Sequence, residues 1–368
     1  MHLRNFRNFD DQTLEFPPEG IALVGPNGQG KTNLLEAIYY LEIFRSFRGA
    51  PDEQLVRFGE EVFRVEGRIA GADGSERTVA AAFQRRGKRK KVSVMGTEAE
   101  RFADAIGGVG VTIFSPSDVG VVAGSPGERR RFLDILLSLA VPSYLPALQR
   151  FRQALVRRNA LLRQGAPPLQ VAVWNEGLAT SGSRVVAARR HWVAEHEEAF
   201  RERYEEIAGG QSGVLGYEPS FTLPENAGDV VRLANAFRTE LDRVAEREQR
   251  RGMTLVGPHR DDLRFSLATE AGPLDLRTYG SGGQQRTAAI ALRMVEADTI
   301  RASREQDPVI LLDDAFAELD AERSARILAW IERQPGQVIL TAPKASDVEV
   351  RGGSLPRWTI QGGEITPG

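Results

Sequence analysis

One stretch, Gly25-Pro26-Asn27-Gly28-Gln29-Gly30-Lys31-Thr32, limits what this chain can fold into more than any other. It fits the phosphate-loop spacing G-x-x-x-x-G-K-[ST] at every position. Glycines let the backbone curl until successive N–H groups aim inward at phosphate oxygens. Lys31 brings a cation to the β- and γ-phosphates of a nucleotide, and the Thr32 hydroxyl is a ligand for Mg²⁺. Such a loop needs a buried strand before it and a helix after it. Ile21-Ala22-Leu23-Val24 is an unbroken apolar run, as a strand covered on both faces requires. From Lys31 onward Leu34, Leu35, Ile38 and Leu41 recur at helical spacing. The loop therefore feeds a helix N-terminus, which favours bound anions. Gly25 to Thr32, with Asn33 in the first turn, are the expected nucleotide contacts.

A phosphate loop needs a metal-holding carboxylate on another strand. Val309-Ile310-Leu311-Leu312 is apolar and ends in Asp313-Asp314. Asp313 is expected to share the Mg²⁺ sphere with Thr32. Asp314 stands where a general base for an attacking water belongs. Lys31, Asp313, Asp314 and Ser281, introduced below, are the expected catalytic set.

The rest of the chain alternates between mixed and helical regions. A strand with a bend near Arg7-Asn8 opens it, and Thr13 to Phe16 reads as a second strand. Val62 to Ile69 and Arg77 to Gln84 read as paired strands, and Val109 to Phe114 as a buried one. Ser125-Pro126-Gly127-Glu128 opens a helix with an N-cap, a proline in the first turn and a capping box. Helical periodicity continues over 145–162, as one stretch over 171–208, and again over 231–244. We expect an α/β protein with a mostly helical arm inserted in its head, the head being 1–124 plus 253–368 and the arm 125–252. The tail from Arg351 to Gly368 reads as an edge strand and a frayed end.

With 368 residues there is room for two domains. No apolar run approaches the ~20 residues needed to span a bilayer, so no membrane is expected and the location is expected to be cytoplasmic. Without cysteine there are no disulfides or thiolate metal sites. Four scattered histidines read as surface or core residues. The formal net charge is −2, so contact with a polyanion must come from local patches. The strongest patch is Arg85-Arg86-Gly87-Lys88-Arg89-Lys90-Lys91, six cations in seven residues on a glycine turn. Two readings compete: contact with a nucleic-acid backbone, or a solvated hairpin whose cations discourage edge pairing. Phe44-Arg45-Ser46-Phe47-Arg48-Gly49, just past the first helix, poses the same choice between a polyanion contact and a loop held by its aromatics.

Tyr279-Gly280-Ser281-Gly282-Gly283-Gln284-Gln285-Arg286 precedes another helical run and resembles the signature motif of the ABC ATPase superfamily. Ala317-Glu318-Leu319-Asp320 resembles its D-loop. Within the superfamily the likeness is to the RecF family. It rests on Leu3-Arg4-Asn5-Phe6-Arg7-Asn8-Phe9, on Phe114-Ser115-Pro116-Ser117-Asp118 leading to Arg129-Arg130-Arg131-Phe132-Leu133-Asp134, on Val256-Gly257-Pro258-His259-Arg260-Asp261-Asp262, and on Asp313-Asp314 with Glu318-Leu319-Asp320. The resemblance implies an ABC-type ATPase head and a cytoplasmic, ATP- and Mg²⁺-dependent DNA-binding protein of repair, replication and the SOS response. It implies RecR and RecO as partners, and double-stranded DNA or single/double-strand junctions as the target. It also implies an ATP-induced homodimer in which Ser281, Gly283, Gln284 and Asp320 of one copy complete the nucleotide site of the other. Three departures from the superfamily touch the positioning of water. Asp314 replaces the usual Glu, no Gln occurs in Phe114 to Asp118, and Thr341 stands where a switch His is common. Slow hydrolysis is the expectation. The alternatives are a nucleotide-binding subunit of an ABC transporter and a non-catalytic ATP-gated scaffold.

Overall fold

The computed structural model describes residues 1–71, 74–225, 228–314, 319–344 and 355–368. The chain forms two compact units, one of Met1–Asp118 with Glu296–Gly368 and one of Val119–Val295.

The first unit opens with a hairpin of β1 (His2–Phe6) and β2 (Phe9–Thr13), turned at Arg7-Asn8. The second strand thus starts at Phe9, four residues before the position expected from sequence. Asn5 and Arg7 take φ of 52° and 55°, which breaks the two-residue period. That break lets Leu3, Phe6 and Phe9 all be buried, and it explains their irregular phase. Then come β3 (Gly20–Val24), α1 (Lys31–Ile43), β4 (Val62–Ala70), β5 (Glu76–Gln84), β6 (Arg89–Val94), the two-residue β7 (Thr97–Glu98), the single turn α2 (Phe102–Ala105) and β8 (Val111–Phe114).

The second unit begins with α3 (Val119–Ala123) and α4 (Pro126–Ala140), the latter opened by the expected capping box of Ser125 and Glu128. α5 (Tyr144–Arg163) follows. The stretch read as one long helix is two, α6 (Pro168–Ala172) and α7 (Asn175–Ala208), parted at Val173-Trp174. The segment between α7 and the next helix, for which periodicity offers no element, holds β9 (Gly213–Glu218). α8 (Val230–Arg251) ends at Gly252, whose φ of 65° suits glycine. β10 (Asp262–Leu267) pairs antiparallel with β9, from Asp262 against Glu218 to Leu267 against Gly213. That pairing ties the chain beyond 252 to the helices before it. The compact unit accordingly runs to Val295 and not to 252. β11 (Leu274–Asp275) and α9 (Leu276–Tyr279) lead to α10 (Gly282–Arg304), which starts in the second unit and ends in the first.

Polar locks inside the second unit hold these helices. Arg158 is fully buried on α5 and is bonded on every side. It reaches Glu248 on α8 at 2.6 Å, Thr254 Oγ1 at 2.8 Å and Asn175 Oδ1 at 2.9 Å. The other oxygen of Glu248 accepts the Leu255 N–H at 2.8 Å. Arg189 on α7 makes a similar knot with Asp134, the Tyr144 hydroxyl and the Pro258 carbonyl. His259 is partly buried, with its ring against Phe151. Burial pushes its imidazole down to about 4.

The chain returns to the first unit with β12 (Val309–Asp313), α11 (Ala321–Glu332), β13 (Val338–Ala342), β14 (Arg357–Gln361) and β15 (Glu364–Thr366). These complete a sheet ordered β15-β14-β3-β13-β12-β8, parallel except for the β14–β15 pair. β14 is therefore an interior strand, and the outermost position belongs to β15; residues 351–354 of the expected tail lie outside the described residues. A second, antiparallel sheet runs β2-β1-β4-β5-β6-β7. α1 contacts β4 and β5 of one sheet and β8, β12 and β13 of the other. A helix between two sheets must be apolar all round, which is why Leu34, Leu35, Ala37, Tyr40 and Leu41 are all buried. In the parallel sheet β3, β13 and β12 are neighbours. The phosphate loop, Thr341 and Asp313 therefore gather at the carboxyl ends of adjacent strands, where open α/β sheets bind ligands.

Glu248→Ala removes the main partner of a buried guanidinium and leaves its charge uncompensated. It should destabilise the second unit by about 3–5 kcal/mol. Urea unfolding followed by far-ultraviolet circular dichroism should show the loss as an earlier transition, whereas exposed Glu246→Ala should leave the midpoint where it was.

Candidate nucleotide site

The phosphate loop leaves β3 and enters α1 through Gly28 and Gly30, at φ of 82° and 114°. The Lys31 ammonium is buried inside the curl. It donates to the carbonyls of Gly25 at 2.7 Å and Pro26 at 3.2 Å, and to Asn27 Oδ1 at 3.3 Å. Gly25 is required by contact, since a Cβ there would lie 2.6 Å from the Ile360 carbonyl on β14.

Thr32 and Asp313 meet as their spacing predicts. The threonine hydroxyl donates to Asp313 Oδ1 at 2.8 Å. Burial pushes the Asp313 carboxyl above its ordinary range, against the pull of the Thr32 hydrogen bond. Thr341, between them on β13, touches both carboxylate-bearing residues. Its hydroxyl accepts the Asp314 N–H at 3.2 Å and lies 3.2 Å from Asp313 Oδ1. The same hydroxyl is 3.3 Å from the Leu312 carbonyl, so its single proton is shared between two acceptors. Asp314 itself sits at φ 44°, a region that costs a non-glycine residue on the order of 1 kcal/mol or more. Its Oδ1 is buried with no hydrogen-bond partner among the described residues. A buried carboxylate oxygen beside a phosphate loop has room in its hydrogen-bonding capacity for a water or ligand donor.

Asn8 is the functional residue that periodicity misses. It sits in the β1–β2 turn, where sequence shows only a bend. Its amide donates to the Gln29 carbonyl at 2.8 Å, and its Oδ1 accepts from Asn33 at 2.8 Å. It thereby bridges the middle of the phosphate loop to the first turn of α1. The β14–β15 turn holds the same loop from another direction, with the Gly362 N–H on Gln29 Oε1 at 2.6 Å. Only the likeness of the Leu3–Phe9 stretch pointed here. Its neighbour Arg7 makes a two-pronged pair with buried Glu36 of α1, at 2.7 and 2.9 Å. Glu36 also takes the Ser46 hydroxyl. Together with buried Phe44, this folds the Phe44–Gly49 loop onto α1, which favours the anchored-loop reading.

The signature segment belongs to the second unit. Ser281 is exposed ahead of α10. Its Oγ accepts the Gln284 N–H at 3.2 Å, and Gln284 Oε1 accepts the Ser281 N–H at 2.9 Å. This reciprocal cap orders the helix end. Gly283 lies in its first turn and accepts from Thr287 at 3.0 Å. In the first unit Asp320 caps α11 through the Arg323 N–H at 2.9 Å. Ala317 and Glu318 of the expected D-loop lie outside the described residues.

The basic hairpin is less free than its composition suggests. Lys90 is mostly buried, 2.6 Å from Asp52 and 2.7 Å from the Phe44 carbonyl, with the Tyr40 ring at 5.2 Å. Lys88 pairs with Glu53 at 2.7 Å and Lys91 with Glu98 at 3.0 Å. Arg85 reaches the Glu53 carbonyl at 3.2 Å. Arg86 and Arg89 remain exposed and without an ion pair among the described residues.

Comparison with known proteins identifies the family. The family of the RecF/RecN/SMC N-terminal domain matches residues 1–351. The DNA replication and repair protein RecF of Roseiflexus castenholzii is 34% identical, over 100% of this chain and 98% of its own. RecF of Salinibacter ruber is 37% identical, over 95% of this chain and 85% of its own. A solved structure of the recombination mediator protein RecF-ATP in the RecFOR pathway superposes with a TM-score of 0.90 at 30% identity, covering 100% of this chain and 96% of that one. The Smc head of Pyrococcus furiosus shares the fold, with a TM-score of 0.55 at 17% identity over 100% of this chain and 94% of that one. The chain belongs to the RecF family of DNA replication and repair proteins and has the ABC/SMC-like ATPase fold. Among the described residues no helix is long and apolar enough to cross a membrane.

Gly30→Ala should abolish binding of a fluorescent ATP analogue. The added methyl would lie 2.5 Å from Asn8 Nδ2, at a φ that only glycine takes easily. Asn8→Ala removes two hydrogen bonds without a clash. It should weaken the same binding by about tenfold, as one to two kcal/mol of lost loop support implies.

Proposed function

We propose that this RecF-family chain is an ATP-dependent DNA-binding protein of recombinational repair, in which ATP joins two copies and hydrolysis releases them. The observation that carries the reading is the Thr32–Asp313 contact at 2.8 Å, which brings the two halves of a phosphate-and-metal site together. Hard oxygen donors from a threonine and a carboxylate suit Mg²⁺, with remaining positions left to phosphate and water. Thr32 and Asp313 would hold the ion, and Lys31 would meet the β- and γ-phosphates. Bound there, the ion supplies positive charge against the charge developing on the γ-phosphate. The orphaned Oδ1 of Asp314 is the acceptor for the attacking water.

Exposed Ser281, at a capped helix N-terminus, has an N-terminal dipole to offer a γ-phosphate. On this reading it serves the nucleotide of a second copy, as do Gly283, Gln284 and Asp320. Two chains about a two-fold axis then enclose two nucleotides. ATP favours the pair because it binds the pair better than the single chain. The relatives' place in the RecFOR pathway supports RecR and RecO as partners in loading a recombinase at gaps. DNA is gripped through its backbone. The ion pairs of Lys88, Lys90 and Lys91 leave Arg86 and Arg89 as the hairpin's main candidates for phosphate contact.

Ser281→Arg should leave ATP binding intact but block ATP-induced dimerisation in sedimentation velocity, whereas Lys31→Met should lose both. An ATP-induced dimer of the Ser281→Arg protein would rule out the shared site. Turnover should be well below the ~10 s⁻¹ median of ordinary enzymes, because a shorter carboxylate at 314 and a threonine at 341 replace the groups that commonly orient water. A steady-state phosphate-release assay with and without duplex DNA measures it, and a rate above that median would contradict the assignment.

A further inference from the structure

Thr341 is a hydroxyl set in an otherwise apolar strand. It is 1% exposed, and the other residues of β13 are Val338, Ile339, Leu340 and Ala342. A valine would fill the same space with no polar atom to satisfy. The end of β12 gives the hydroxyl its use. Pairing of β12 with β13 stops at Asp313 against Thr341. Asp314 leaves that ladder at φ 44°. Its N–H turns to the Thr341 side chain and donates to Oγ1 at 3.2 Å.

A left-handed conformation at a non-glycine residue persists only where its surroundings fix it. Asp314 carries its carboxylate on a single methylene, so the main chain decides where the two oxygens lie. Groups that take part in a reaction must be held to within about 0.5 Å. Threonine suits the task, because its branched Cβ restricts χ1 and the strand packing then fixes the direction of the hydroxyl. The other contacts of that hydroxyl do not compete. A lone pair takes the Asp314 N–H, while the single proton goes to Asp313 Oδ1 at 3.2 Å or to the Leu312 carbonyl at 3.3 Å. Asp313 depends on it less, since Thr32 donates to the same carboxylate oxygen at 2.8 Å and the residue is still within the ladder.

We propose that Thr341 is a positioning residue for ATP hydrolysis, which acts by holding the main chain of Asp314 in its left-handed turn. This rests on the reading of Asp314 as the acceptor for the attacking water. Thr341 acts through Asp314 and not on the nucleotide. It therefore sets how fast bound ATP is hydrolysed and leaves the binding of ATP alone.

The test uses the full-length chain, with steady-state phosphate release for turnover and a fluorescent ATP analogue for binding. Thr341→Val removes the oxygen and keeps the shape. It should lower kcat about tenfold, with KM and analogue affinity changed by about twofold or less. Thr341→Ser, which restores the oxygen, should recover most of the lost rate. Asp314→Ala should itself lower kcat. Adding Thr341→Val to it should cost nothing further, because the carboxylate to be positioned is gone. The proposal is overturned if Thr341→Val keeps the rate of the unmodified chain, or if Thr341→Ser is as slow as Thr341→Val. It is also overturned if the two losses multiply in the double variant, which would give Thr341 an action independent of Asp314. A full rate in Asp314→Ala would remove the reading of Asp314 and the proposal with it. A slow Asp314→Ala beside an unimpaired Thr341→Val would remove the proposal alone. Thr341→Ala repeats the comparison with less bulk. If both oxygen-free variants lose the analogue, the hydroxyl is structural and the proposal fails.

Discussion

The hydrogen bond from Thr32 to Asp313 is the constraint around which the first unit is built. One partner opens α1 and the other ends β12, and they meet because the sheet order sets β13 alone between β3 and β12. Register decides the height. Thr341 pairs with Leu23 on one side and Asp313 on the other, so its hydroxyl lies level with the carboxylates. A slip of one residue would turn each of these side chains to the opposite face of the sheet. The apolar runs of β3, β12 and β13 are therefore more than core. They hold the register that brings a hydroxyl, a carboxylate and a phosphate loop to one edge.

α1 carries this arrangement inward. Its first turn is part of the loop, and its last turn holds buried Glu42. Glu42 accepts the N–H groups of Val109 and Gly110 ahead of β8, at 3.0 and 2.8 Å, and lies 3.3 Å from Arg304 at the end of α10. Burial pushes this carboxyl upward, while Arg304 and the two N–H donors pull it down. A carboxylate so enclosed is tolerated only because its partners are fixed. The helix is thus pinned at both ends, by Asn8 and Asn33 near the loop and by Glu42 at the far end. Little of α1 is free to move apart from the sheets that enclose it.

How much of this was legible in the sequence depends on how local the cause is. The phosphate loop, the carboxylate pair and the α4 capping box each follow from side-chain or backbone chemistry within a few residues, and each is found where its residues predict. The β1–β2 hairpin was misplaced because left-handed residues at 5 and 7 broke the alternation on which strand reading relies. β9 was missed because Gly-Val-Leu-Gly-Tyr-Glu has weak strand propensity. It is a strand only because β10, more than forty residues later, supplies its partner. Asn8 was invisible for the same reason: its bonds to Gln29 and Asn33 exist only after the hairpin has packed on the loop.

Charge shows the same limit most clearly, because a run of cations has no meaning until its counter-ions are located. Counted along the chain, residues 85–91 are a polycation. In the fold, the acids at 52 and 53 and at 98 lie beside three of the cations. Lys90 in particular is structural, since it is mostly withdrawn from solvent and set over the Tyr40 ring. Pairs exposed like Lys88–Glu53 and Lys91–Glu98 are screened by water and hold their cations only weakly, so a phosphate backbone can compete for those two lysines. It cannot readily compete for Lys90 without opening the packing around Tyr40. Among the described residues the hairpin is thus a graded surface, with two arginines free of ion pairs, a third, Arg85, on the Glu53 carbonyl, two exchangeable lysines and one anchored lysine. Conversely, Arg150, Arg157 and Arg184 form no run in the sequence, yet two helices bring them around one groove with no carboxylate among its described lining residues. Where anions meet this protein is decided by which cations folding leaves without partners, and not by where cations are densest in the chain.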